Sequence, residues 1–173
     1  MLQETLIAIS IALVRIVAAL VLSTGTLYSG MRLLDSLTSG IDEWKEIRRG
    51  NIAIGVLFSS VMASLLLLVC PAIDGVVWSI GAGDGPLQMA AMISLSLFNY
   101  VLALIAGIIV IFLTLNLIDR ITPDVDEFAE LKKGNVAVGL VMASALLLVA
   151  LASRMHFGFF LFLIRNAELA LLG

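Results

Sequence analysis

The chain has 173 residues, of which 61% are hydrophobic and only 13% charged, and its mean hydropathy is +1.14. An ordinary globular domain carries about 25% charged residues, so a water-soluble domain is excluded, and apolar runs of the roughly 20 residues a bilayer crossing needs point to an integral membrane protein. The net charge of -3 says little because the charges sit in short loops, while a single cysteine, Cys70, and a single histidine, His156, exclude an intrachain disulfide and argue against a Cys- or His-built metal site.

Leu2 to Leu37 is nearly all apolar, broken by Arg15 and by Ser23, Thr24, Thr26, Tyr28 and Ser29. As one helix it would be about 54 Å long against a hydrocarbon core of about 30 Å, so it either tilts strongly or extends outside the membrane. The opening MLQETLIAISIALV lacks the basic start of a signal peptide and is expected to stay in the mature chain. Thr38 to Gly50 is a first charged loop. Asn51 to about Cys70 makes a second span, which Pro71 is expected to end, followed by a turn region rich in glycine from Ala72 to Pro86. Leu87 to Ile121 is again about one and a half crossings long and carries Ser94, Ser96, Asn99, Tyr100, Thr114 and Asn116. Thr122 to Gly134 is a second charged loop, and Asn135 to about Ser153 a fourth span. In the tail from Arg154 to Gly173 the longest uncharged run is Phe157 to Ile164. A fifth crossing would bury Arg165, so an interfacial or extended helix is expected there.

The chain repeats itself. DSLTSGIDEWKEIRRGNIAIGVLFSS, from Asp35 to Ser60, returns without a gap 84 residues later as DRITPDVDEFAELKKGNVAVGLVMAS, from Asp119 to Ser144. Such repetition sets the architecture. The expected fold is an all-α integral membrane protein with four transmembrane helices, built as two helical hairpin repeats, 1–86 and 87–173. Lysine and arginine gather around the two charged loops (Arg32, Lys45, Arg48, Arg49; Arg120, Lys132, Lys133) and are missing from the Ala72–Pro86 linker. Both loops are therefore expected to face the cytoplasm and both termini the outside, which makes the hairpins parallel. Counting about 20 residues from the loops places Arg15, Cys70, Asn99 and Arg154 at one level, the outer membrane face. Two readings follow: Leu2–Val14, Leu87–Phe98 and Phe157–Gly173 project beyond the bilayer and are covered by further copies of the chain, or they tilt within lipid and Arg15, Asn99 and Arg154 form a buried polar cluster.

Within each loop Ile41, Trp44 and Ile47, and likewise Val125, Phe128 and Leu131, recur at i, i+3, i+6. That spacing predicts a short amphipathic helix lying in the headgroup region with its aromatic face down. Pro123 suits its first position in the second copy, with Thr122 or Asp124 as the cap. Glu46 with Arg49, and Glu130 with Lys133, are the expected i,i+3 pairs. The Gly50-Asn51 and Gly134-Asn135 pairs allow a turn, the asparagine capping the next span. From there Asn51, Gly55, Ser59 and Ala63, echoed by Asn135, Gly139 and Ala143, form a stripe that lets membrane helices approach closely. A connector plus a packing seam accounts for all these positions; a ligand site at the Asp-Glu and Gly-Asn groups is the alternative.

Asp35 and Asp119, at the ends of spans one and three, are expected to pair with Arg48/Arg49 and Lys132/Lys133 or to cap the loops. Arg15 is a candidate intramembrane charge, or a side chain snorkelling to an interface. His156 reads as interfacial, and Trp44, Trp78 and the Phe-rich tail as aromatic belts.

The doubled motif carries a resemblance. Thr38, Asp42, Glu43, Ile47, Gly50, Asn51 and Ala53, and again Thr122, Asp126, Glu127, Leu131, Gly134, Asn135 and Ala137, form a Thr, Asp-Glu, Gly-Asn-x-Ala pattern opening a membrane helix. In this the chain resembles the family catalogued as domain of unknown function 350, small inner-membrane proteins of prokaryotes. The resemblance implies a four-span architecture and brings no activity; the apolar N-terminus and aromatic tail depart from it.

No catalytic residues are expected, since the sequence has no nucleophile–base pair, metal-ligand set or phosphate-binding glycine loop; nor is a cofactor or a nucleic-acid partner. The expected function is a self-associating structural or scaffold component of the cell (inner, cytoplasmic) membrane, a homo-oligomer in the lipid bilayer. The alternative is an oligomeric small-ion channel or transporter whose pore, between protomers, is lined by Ser23, Thr24, Thr26, Ser29, Ser94, Ser96, Asn99 and Thr114.

Overall fold

A computed structural model describes residues 1–37, 42–83, 85–124 and 126–172, with the side chains of 37, 165 and 167–172 outside the description. Thr38, Ile41 and Val125 of the sequence motifs therefore lie outside the described residues. The described chain is helical, in the order α1 (Leu2–Leu37), α2 (Glu43–Arg48), α3 (Ile52–Ser79), α4 (Pro86–Ile121), α5 (Glu127–Lys132) and α6 (Val136–Leu172). Four of these, α1, α3, α4 and α6, are long and apolar enough to cross a membrane. Lipid leaves backbone groups no outside partner, which favours such unbroken helices.

Helix α3 is the axis of the molecule, with α1, α4 and α6 packed around it. Its Val61, Leu65, Leu68 and Val69 are fully buried, and the core continues through Leu34, Ile111, Leu131, Met142 and Leu146. Antiparallel packing of α1 on α3 follows from its contacts: Gly30 meets Leu65 and Met62, and Gly81, just past the end of α3, meets Ile11. α3 and α6 run in the same direction, with Gly139 against Ala53 and Gly158 against Pro71.

Pro71 does not end the second span: α3 runs on to Ser79, and the break before α4 shrinks to a few residues. A proline removes one backbone hydrogen bond, but ending the helix in apolar surroundings would expose many more polar groups. Ala72, Ile73 and Val76 are buried beyond the proline, whose ring fits against Gly158 of α6 at 3.7 Å from the position a Cβ would take.

The common level for Arg15, Cys70, Asn99 and Arg154 is also corrected. Arg15 lies opposite Ile80, not Cys70, as its hydrogen bonds of 3.0 and 2.8 Å to the Ile80 carbonyl require. Ala103 of α4 packs with Leu161 of α6, which sets Asn99 well past Arg154 along that helix. The levels differ because α3 and α6 begin below the ends of α1 and α4, and the loop helices fill the step. Trp44 of α2 accordingly meets Phe58 of α3 edge to face at 5.3 Å, and Leu131 of α5 is fully buried. Of the apolar stripes, Ile47, Phe128 and Leu131 thus pack on the protein core, and Trp44 stays half exposed beside Phe58.

Candidate functional site at the paired glycine-asparagine elbows

The two copies of the motif build the same elbow. Asp42 caps α2 by accepting from the Lys45 amide at 3.0 Å, and Asp126 caps α5 by accepting from the Ala129 amide at 2.9 Å. Asp126 is thus the cap where Thr122 or Asp124 was expected. Thr122 instead closes the end of α4, its amide donating to the Ile118 carbonyl, and Pro123 lies in the turn before α5. Each short helix ends with a glycine in the left-handed region, Gly50 at φ 84° and Gly134 at φ 81°. The asparagine amide then donates back to the Glu46 or Glu130 carbonyl, and the glycine amide to that of Ile47 or Leu131. This crossed pair of bonds is the Schellman arrangement, and it requires a residue that tolerates positive φ.

Each asparagine then starts the next helix: Asn51 Oδ1 accepts from the Ile54 amide at 3.3 Å, and Asn135 Oδ1 from the Val138 amide at 3.4 Å. Their Nδ2 groups donate to Glu46 and Glu130, which also hold Arg49 at 3.1 Å and Lys133 at 2.7 Å, the two pairs expected from the sequence. The Asn135 amide, followed by the Lys133 ammonium, holds the Glu130 carboxyl below its ordinary range, and Glu130 in turn raises Lys133.

The elbows are not equivalent where they meet. Asn51 Nδ2 reaches across to the Leu131 carbonyl at 2.9 Å, tying the first elbow to the last turn of α5. Beside them lie two buried acids. Glu127 is in hydrogen-bond contact with the Thr122 hydroxyl, which also lies 2.8 Å from the Ile118 carbonyl. Burial pushes the Glu43 carboxyl up, and Asp35 close by adds to the shift. Asp35 thus faces Glu43, where Arg48 or Arg49 was expected; Arg49 is held by Glu46. The sequence singled out both glutamates, but not that both would be buried or that burial would raise Glu43, because their neighbours come from different elements.

The small-residue stripe divides in two. Gly139 is pressed against α3, where a Cβ would lie 2.8 Å from the Ala53 carbonyl oxygen, and Ala143 is buried. Around Gly55 a Cβ would meet nothing within 4 Å, and Ser59 and Ala63 are exposed.

Arg15, Asn99 and Arg154 occupy separate settings. Arg15 caps the end of α3 at Ile80 and lies 4.8 Å over the Trp78 ring, a cation–π contact the sequence did not suggest. Asn99 is buried, lining a cavity of about 480 Å³ with Pro71, Asp74, Trp78 and Ser96. Arg154 is exposed on α6. Most candidate pore hydroxyls bond their own helix: Thr24, Thr26, Ser29, Ser94 and Thr114 donate to carbonyls four residues back, at 2.8 to 2.9 Å. No group of three or more His, Cys, Asp or Glu suited to a metal ion occurs among the described residues.

Four long apolar helices joined by short charged elbows define a multi-pass α-helical membrane protein. The chain belongs to the family described as Domain of Unknown Function (DUF350), whose model matches residues 2–97 and 92–157, two tandem copies. No curated protein and no solved structure matches it.

Proposed function

We propose that this is a non-catalytic, self-associating structural component of the cell membrane, built as two parallel hairpin repeats. The observation that carries the reading is α1. Its most apolar stretch has no buried residue within the protomer, and Leu2, Leu6, Ile9, Leu13 and Ile16 are all more than half exposed. A 36-residue helix is about 54 Å long, far more than a hydrocarbon core of about 30 Å, so lipid alone does not cover such a surface when the helix stands upright. A second copy of the chain supplies matching apolar area. The lysines and arginines clustered at the elbows support a cytoplasmic placement of that end, with both termini outside, in the inner membrane of a prokaryote. The elbows act as rigid connectors: Asp42 and Asp126 serve as caps, the Gly-Asn pairs as turns, and Glu46–Arg49 and Glu130–Lys133 as ion pairs.

The test is co-purification of two differently tagged copies expressed in one membrane. Recovery of one tag with the other is expected, and recovery of a single tag alone would overturn the reading. Ion flux through liposomes carrying the assembly would instead favour the small-ion channel, with its pore between protomers.

A further inference from the structure

We infer that copies of this chain join head to tail by repeating, between protomers, the α3–α6 contact that each makes internally. The inference rests on the self-association proposed above and names its surfaces.

The 84-residue repeat makes every position on α3 comparable with one on α6. One side of α3, formed by Ala53, Leu57, Ser60 and Ser64, is buried at 4% exposure or less. Its counterparts on α6 are Ala137, Val141, Ser144 and Leu148, all exposed, with Val141 at 64% and Leu148 at 66%. On α6 the opposite holds for another side. Gly139, Ala143, Leu146 and Ala150 are buried, whereas their counterparts Gly55 and Ser59 are open, and Met62, against Gly30 of α1, and Leu66 are half-buried. The internal contact therefore uses one side of the first repeat and the other side of the second. Each repeat is left with the side that its partner has used.

Those two open sides are the two halves of a contact the protein already makes. Gly55 stands where Gly139 stands, with room for a close approach, and Ala137 stands where Ala53 does. The polar bond has its counterpart too. Asn51 donates across the internal contact to the Leu131 carbonyl, and Asn135, now bonded within its own loop to Glu130, faces the same task towards the Ile47 carbonyl of a second copy. Direction also fits. Because α3 and α6 run the same way, setting the α6 of one copy beside the α3 of the next keeps every copy the same way up in the bilayer. A two-fold contact would instead bring like sides together, Gly55 against Gly55. A head-to-tail contact closes into a ring when its rotation allows and otherwise extends as an open array.

The experiment is thiol cross-linking in native membranes in a Cys70→Ala background, with copper–phenanthroline as oxidant. Internally, a Cβ on Gly158 would lie 3.7 Å from the Pro71 Cβ, the spacing of a disulfide, so the equivalent pair between copies, Asp74→Cys with Met155→Cys, can be bridged without a side chain being forced into the close glycine contact. Both positions are open in the protomer, so the substitutions leave its packing intact. The double variant is expected to give a ladder at multiples of the 18.4 kDa chain, and each single variant none. Self-linking of Asp74→Cys alone would overturn the head-to-tail contact in favour of a two-fold one. No ladder from a double variant that keeps a multi-protomer mass before oxidation would overturn these surfaces and leave self-association standing. A one-chain mass before oxidation would overturn both.

Discussion

Asn51 and Asn135 do the same work in sequence and different work in space, which makes them a built-in control. Both cap a long helix, but only Asn51 also bonds the opposite repeat, at Leu131. A lost cap costs about 1 kcal/mol, and a lost hydrogen bond adds about 1 kcal/mol. In detergent-dispersed protomers, thermal unfolding is therefore expected to fall further for Asn51→Ala than for Asn135→Ala, by about 1 kcal/mol; equal losses would contradict the cross-repeat bond. Glu43 carries a pH dependence. Its folded pKa lies above the ordinary carboxylate value of 4.5, so its contribution is fully present below that pH. It is lost as pH rises through the folded pKa, because the folded chain then gives up a proton that the unfolded chain has already released. Glu43→Gln, neutral and equal in size, is expected to flatten this loss in stability measured against pH. Glu130 runs the other way: its lowered pKa gives stability above 4.5 that is lost on acidification.

At the scale of the helices, α6 approaches α3 closely at Gly139. Adding a methyl at Gly139 drives it into the Ala53 backbone, and overpacking of this kind costs roughly 1–3 kcal/mol. Gly139→Ala is expected to lower the protomer's thermal stability by that amount, and Gly55→Ala, which meets open space, to leave it unchanged. Equal effects would mean that the repeats pack alike. The sequence made the four long helices, the Gly-Asn turns and the Glu46–Arg49 and Glu130–Lys133 pairs legible, because each depends on residues within a few positions of one another. It misplaced the end of α3, where a local rule about proline yields to the burial of Ala72, Ile73 and Val76 on neighbouring helices. It also misplaced the levels of Arg15 and Asn99, since counting along single helices cannot register the step that α2 and α5 fill.

For the whole molecule the informative fact is asymmetry. A repeat identical in motif packs so that α3 is the most buried of the long helices, open only along the side of Gly55 and Ser59, while α1 and one side of α6 stand open. The split of Gly55 from Gly139 was not visible in a sequence that gives both the same neighbours; it comes from which side of each repeat the other occupies. The same argument turns open apolar surface into an expectation about copy number. The deciding measurement is the particle mass of the protein taken from its native membrane in polymer-bounded lipid discs, without detergent. A discrete mass at several times 18.4 kDa is expected. Discs holding a single chain at all expression levels would contradict self-association and leave α1 and the open side of α6 to lipid alone.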